Sequence, residues 1–253
     1  MKVGFIGTGH IAAPMARHVA RKGHSVTVSQ RNADVAAELA GLDLGIKVAE
    51  NQSVVDTSEV VVLCLRPAVW EEITATLNFR SKQKIVSVMA GVAFADIARA
   101  VAPATDISGT IPFGFLETGG CPLPVAGVPS TIRDLFAPEN LILPQSEEKM
   151  LQYHFATSAL PSGILELLEV TSSWLAQKTG DADQAEIYVG NLISGILNNL
   201  EIKKGGVLAT ERNALASPKT LNLQMVEGLR ERKSFDRLHE LLDQISDSME
   251  PDQ

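Results

Sequence analysis

A short glycine-rich segment near the N-terminus restricts the fold more than any other stretch. Gly7-Thr8-Gly9-His10-Ile11-Ala12 is a G-x-G-x-x-A loop. It directly follows the apolar, β-branched run Lys2–Gly7 (KVGFIG) and opens a stretch with helical spacing at Ile11, Met15, Val19 and Ala20. Strand, glycine turn and helix in that order begin a parallel, helix-wound sheet. The first glycine permits the tight turn, and the second, lacking Cβ, lets backbone N–H groups approach a pyrophosphate at a helix N-terminus. Alanine in the third place still allows close helix–strand packing. Gly7, Thr8, Gly9, His10 and Ile11 are therefore expected to bind a dinucleotide, with His10 against phosphate or solvent and not acting as a base.

The pattern continues as that start requires. Ser25–Ser29 (SVTVS), Lys47–Ala49, Glu59–Leu65 (EVVVLCL) and Lys84–Met89 (KIVSVM) read as further strands, with weaker ones at Asp106–Thr110 and Val125–Gly127. From about Glu147 onward only helical periodicity remains. The loop around Pro138–Gln145 is the expected boundary, giving a dinucleotide-binding domain over 1–147 and a helical domain over 148–253. The fold class is α/β then all-α: a Rossmann-type parallel sheet followed by a helical domain. Ile164, Leu165, Leu167 and Leu168 make the first long helix of that second part apolar on more than one face, so burying it calls for a subunit partner. A homodimer or higher homo-oligomer through the helical domain is expected.

Composition removes several alternatives. With 22 basic and 30 acidic residues the formal net charge is −8, which repels phosphate backbones and anionic membranes; neither nucleic acid nor membrane is an expected partner. Two cysteines, Cys64 and Cys121, make no disulfide framework or four-thiolate zinc site, and the five histidines lack metal-ligand spacing. The apolar runs are far short of a span of ~20 residues, and the N-terminal run is too short for a secretory signal, so a cytoplasmic protein without a metal is expected.

The choice of dinucleotide rests on the end of the second strand. Enzymes using NAD usually place a carboxylate there for the ribose 2′-hydroxyl. Here the chain reads Ser29-Gln30-Arg31-Asn32, in which Arg31 suits a 2′-phosphate, with Ser29 and Asn32 as further donors. The expected cofactor is NADP(H), with NAD(H) as the weaker partner. Leu65-Arg66-Pro67 and Ala90-Gly91, at two more strand ends, should line the same crevice.

These segments, in this order, make the chain resemble the pyrroline-5-carboxylate reductase family over nearly its whole length. KVGFIGTGHIA is similar to that family's opening strand and loop, VSQRN to its adenosine-phosphate segment, VVLCLRP and SVMAGV to its fourth and fifth strands. Ala216-Ser217-Pro218-Lys219-Thr220-Leu221-Asn222 resembles its serine-proline-glycine-glycine-threonine-threonine segment. The resemblance implies NADPH-dependent reduction of a cyclic imine, 1-pyrroline-5-carboxylate to L-proline. It also implies Pro112, Ser162 and Gly163 near the substrate, and Ser217 and Asn222, opening the helix after Pro218, as the carboxylate anchor. There are departures: Phe113 stands where the family has asparagine, Leu160 falls in its glycine-rich element, and Lys219 replaces a glycine. Two other readings share the glycine loop. One is a β-hydroxyacid dehydrogenase, for which Lys178 is the candidate proton acceptor. The other is a non-catalytic NADP-binding regulatory protein.

Overall fold

The computed structural model describes residues 1–249. Its contacts divide the described residues into two compact units, one formed by Met1–Phe155 with Ser248 and Met249, the other by Ala156–Asp247.

The first unit is built on an eight-stranded sheet. Its strands are β1 (Lys2–Ile6), β2 (Ser25–Ser29), β3 (Lys47–Ala49), β4 (Val60–Leu63), β5 (Lys84–Ser87), β6 (Asp106–Thr110), β7 (Pro122–Gly127) and β8 (Leu141–Pro144), in the order β3-β2-β1-β4-β5-β6-β7-β8. Every neighbouring pair is parallel except β6 and β7. The connecting helices are α1 (Ala12–Arg21), α2 (Ala33–Gly41), α3 (Asn51–Thr57), α4 (Trp70–Thr74), α5 (Phe94–Ala100) and α6 (Pro129–Phe136). Central β4 reads Val-Val-Val-Leu and is buried throughout, as a parallel strand covered by helices on both faces must be. Alternation along β1 sends Val3 and Phe5 into a core with Met15 and Val19 of α1, while Ile6 joins the opposite core with Val54, Leu63 and Ile85.

The segment Pro138–Gln145, expected to be a linker, contains β8 instead. Between its prolines, Pro138 and Pro144, only Leu141, Ile142 and Leu143 are apolar, too short a run to read as a strand by pattern. It forms one because it is the sheet's edge, where a proline's missing N–H costs no ladder bond.

A charged staple fixes α1 to the far end of this unit. Arg17 Nε and Arg21 donate to the two carboxylate oxygens of Glu117 at 2.8 and 2.6 Å, holding that carboxyl below its usual range. Lys22 donates to Glu139 at 2.8 Å. Between these pairs His18 is buried, stacked on Phe136 with ring centroids 5.7 Å apart. Burial lowers its pKa, Lys22 and Arg21 add to the fall, and the Glu117 carbonyl and the Glu139 carboxylate oppose it. The folded site thus resists a proton that the unfolded chain accepts near its ordinary value of about 6.5. Stability should fall as the pH drops through that value and level off once the depressed folded value is passed. His18→Gln should make the urea midpoint less pH-dependent between about pH 7 and 5; an unchanged slope would contradict this account.

The second unit is helical. After α7 (Lys149–Thr157), which runs across the division, come α8 (Leu160–Thr179), α9 (Ala182–Asn198), α10 (Val207–Leu215), α11 (Leu221–Glu231) and α12 (Ser234–Asp247). Gly180, left-handed at φ +80°, ends α8, and Asp181 caps α9 by accepting from Gln184 N at 2.9 Å. Helices α8 and α9 pack together, as do α11 and α12. Large apolar side chains nevertheless stay open to solvent, among them Leu165 (65% exposed), Trp174 (59%), Ile187 (64%) and Leu221 (81%). Among the described residues no helix is long and apolar enough to cross a membrane.

Candidate functional site

Because β1, β2, β4, β5 and β6 run parallel as neighbours, their C-terminal ends form one edge. The connections reverse direction at β1, which lies between β2 and β4, and that switch point is where such sheets open a crevice for ligands. Residues far apart in sequence meet there: Gly7 to Ile11 after β1, Ser29 to Asn32 after β2, Leu65 to Pro67 after β4, Ala90 and Gly91 after β5, and Pro112 after β6.

The loop after β1 owes its shape to Gly7, whose φ is +94° and whose imagined Cβ would lie 2.4 Å from the Cys64 carbonyl oxygen. Gly9 differs: beyond its own chain neighbours, no heavy atom of the described residues lies within 4 Å of where its Cβ would be. Its bareness therefore serves nothing inside the protein and leaves room for something outside it. Ala13 N donates to Gly9 O at 3.0 Å, starting α1. The N–H groups of Gly9, His10 and Ile11, just before that bond, have no acceptor among the described residues. Three donors at a helix N-terminus beside a bare glycine suit a phosphate.

The residues after β2 split into two roles. Ser29 is fully buried, and its hydroxyl accepts from Gly7 N at 2.9 Å, while Thr8 Oγ1 donates to the Ser29 carbonyl at 2.5 Å. Ser29 and the buried Thr8, both expected at the cofactor, clamp the loop to the end of β2. Sequence spacing could not reveal this, because the clamp depends on the register that pairs Phe5 with Val28. Arg31 and Asn32 are exposed beyond the clamp. Asn32 occupies the N-cap position of α2 yet makes no capping bond with its side chain.

At the end of β4 the side chain of Leu65 is core, 8% exposed and packed with Trp70 and Met89, whereas Arg66 and Pro67 beside it are exposed. Burial pushes the neighbouring Cys64 thiol up to about 12, which rules it out as a nucleophile at neutral pH. Past β5, Gly91 takes a left-handed φ of +71° beside a cavity of about 530 Å³. That volume lies within the ~300–1,000 Å³ of small-molecule sites. Met89, Phe94, Leu151 and Phe155 give it apolar walls, and Ser87 adds a hydroxyl. The sequence reading placed the strand end at Met89 beside the crevice but missed Ser87, Phe94, Leu151 and Phe155, since nothing in the spacing of Phe94 or Leu151 distinguishes a cavity wall from a core position. Pro112 is buried at the end of β6.

The remaining candidates lie in the second unit. Ser162 and Gly163 are exposed in the first turn of α8, and Ser217 and Asn222 are exposed at the start of α11. That helix opens at Leu221 and not directly after Pro218, because Lys219 takes φ +68° and turns the chain first. Its cap is Thr220, which accepts from Leu223 N at 3.2 Å and donates to the Ser217 carbonyl at 2.7 Å. Ser217 thus supports the cap through its backbone.

Comparison with known proteins agrees with this fold. A 1-pyrroline-5-carboxylate reductase from Streptococcus pyogenes superposes with a TM-score of 0.82 at 19% identity, over 98% of each chain. The chain has the pyrroline-5-carboxylate reductase fold. A pyrroline carboxylate reductase from Plasmodium falciparum, solved with NADP bound, shares that fold at 12% identity and a TM-score of 0.81, over 98% of this chain and 97% of its own. An imine reductase from Pseudomonas sp. is more distant, with a TM-score of 0.62 at 18% identity over 96% of this chain and 90% of its own. Residues 2–91 match the family described as NADP oxidoreductase, coenzyme F420-dependent. That span contains every candidate from Gly7 to Gly91.

Proposed function

We propose that this chain is an NADPH-dependent reductase of a cyclic imine, with 1-pyrroline-5-carboxylate, giving L-proline, as the first substrate to test. The observation that carries the reading is the loop after β1, with its three N–H groups lacking acceptors beside bare Gly9 and with cationic Arg31 in place of a carboxylate after β2. The NADP bound to the Plasmodium falciparum relative and the reactions named for the reductase relatives support it.

In this reading Gly9, His10 and Ile11 hold the pyrophosphate through backbone N–H groups. Arg31 and Asn32 take the 2′-phosphate, and Arg66, Pro67, Ala90 and Gly91 flank the remainder. NADPH, when bound, would supply the hydride for the imine carbon, with the C=N π electrons going to nitrogen and that nitrogen's proton drawn from water. The chain's own task is then to hold the imine carbon ~3–3.5 Å from the hydride donor and to exclude water around it. Pro112 and the apolar cavity walls serve that end in the first unit. In the helical unit, taken by itself, the first-turn N–H groups of α11, at Leu221 and Asn222, with exposed Ser217 before them, are the groups that suit a carboxylate, and Ser162 and Gly163 are exposed in the first turn of α8. The open apolar side chains of α8 and α9 are covered by a second copy of the chain.

Absorbance-monitored NADPH oxidation with 1-pyrroline-5-carboxylate, run beside NADH and with proline quantified, tests the proposal. Turnover preferring NADPH is expected, from protein that light scattering reports as a dimer. NADPH binding without proline would remove this substrate; no NADPH binding would remove the reading.

A further inference from the structure

The cavity beside β5 and β6 has a wall built in an unusual way. Gly109 of β6 lies next to Ala126 of β7, and the preceding pair is Ser108 with Gly127. The ring of Phe94, the first residue of α5, lies against both glycines. A Cβ on Gly109 would come within 2.8 Å of two of its ring carbons and 2.9 Å of a Leu151 methyl, and one on Gly127 within 3.2 Å of a third ring carbon. Two adjacent strands have thus given up side chains where one aromatic ring rests. Phe94 also lines the cavity, as do Gly109 and Leu151, so the depth to which the ring sinks sets the space left over. The ring is held from its own backbone too, since Phe94 N donates to Glu148 Oε1 at 2.6 Å, tying the start of α5 to the segment that leads into α7.

We infer that this cavity selects the imine by the size of its ring, and that Phe94, seated on Gly109 and Gly127, is the residue that sets the limit. The inference rests on the reductase reading. The occupant it names is the ring of a cyclic imine, because Met89, Phe94, Leu151 and Phe155 offer it hydrocarbon, while Ser87, Thr110, Glu148, Lys149 and Gln152 give the same cavity polar groups for the imine nitrogen and its substituents. One ring methylene more or less in such a pocket changes kcat/KM by roughly 10–200-fold.

Five-, six- and seven-membered cyclic imines should be compared as substrates of the wild type, Phe94→Ala and Gly109→Ala. Truncating Phe94 should raise the kcat/KM ratio of the six- over the five-membered imine by about tenfold. A methyl at Gly109 drives the ring and Leu151 into the cavity and should move the same ratio the other way. NADPH affinity, read by fluorescence titration, serves as the folding control, and Phe94→Leu replaces Phe94→Ala should the latter not fold. Shifts of opposite sign support the inference, and a ratio that stays within twofold in both variants overturns it while leaving the reductase reading intact. If the wild type reduces no imine, that reading fails. The cavity is then read by the thermal shifts that pyrrolidine, piperidine and azepane give in the presence of NADP: a changed order in Phe94→Ala supports the size limit, and an unchanged order removes it.

Discussion

Replacing Gly7 with alanine should abolish NADPH binding and cost the first unit on the order of 3 kcal/mol. Two independent penalties meet at this residue. A φ of +94° is left-handed, which costs an L residue roughly 1–2 kcal/mol. The new Cβ would also press to 2.4 Å from the Cys64 carbonyl oxygen, a backbone atom that no rotamer change can move aside, and such overpacking costs typically 1–3 kcal/mol. The chain escapes by shifting the loop, which misaligns the N–H groups of Gly9, His10 and Ile11. Calorimetry should show a fall in Tm of roughly 6–12 °C, and titration should show no NADPH binding by the protein that stays folded. Gly127→Ala supplies the comparison, since its φ is +82° and its Cβ would lie 2.2 Å from the Ile107 carbonyl oxygen, between β6 and β7. It should destabilise similarly while the folded protein keeps its affinity for the adenosine bisphosphate half of the cofactor. Equal loss of affinity in the two variants would mean that Gly7 acts through stability alone.

The contrast between these glycines shows what sequence could and could not reveal. Gly7 was readable because its constraint is local: a strand ends, a helix begins, and only one residue type turns the chain between them. Gly127 lies in a stretch where Gly and Pro are common, and its meaning depends on its pairing with Ser108 on another strand. The second role of Ser29 was hidden for the same reason. Its position after β2 pointed outward to a cofactor, but the register of β1 against β2 turns its hydroxyl back onto Gly7 N. Strand β8 was lost because its pairing, not its composition, makes Leu141–Pro144 a strand. In the helical unit the spacing showed that helices exist, whereas the opening of α11 was set by a left-handed lysine that no periodicity announces.

Reversing the charge at Arg31 should exchange the cofactor preference without harming the fold. Arg31 is exposed just past the point where Ser29 is clamped, so its side chain is free of the core while its backbone is fixed by the loop it adjoins. A charge-assisted hydrogen bond contributes about 1.5–3 kcal/mol, and solvent around Arg31 favours the lower end. Arg31→Ala should therefore weaken NADPH binding by about tenfold to thirtyfold and leave NADH almost unchanged. Arg31→Glu goes further: it repels the 2′-phosphate and offers an acceptor to a 2′-hydroxyl, so the NADPH-to-NADH affinity ratio should fall by about a hundredfold. Salt gives an independent check. A surface charge facing a phosphate is screened as ionic strength rises, so NADPH affinity should be less salt-dependent in Arg31→Ala than in the wild type. The clamp at Ser29 and Thr8 makes this a test of one side chain, because it holds the end of β2 in place whichever residue follows. An unchanged cofactor ratio in both variants would show that Arg31 plays no part in reading the 2′-phosphate, and would leave Asn32 as the remaining candidate at that strand end.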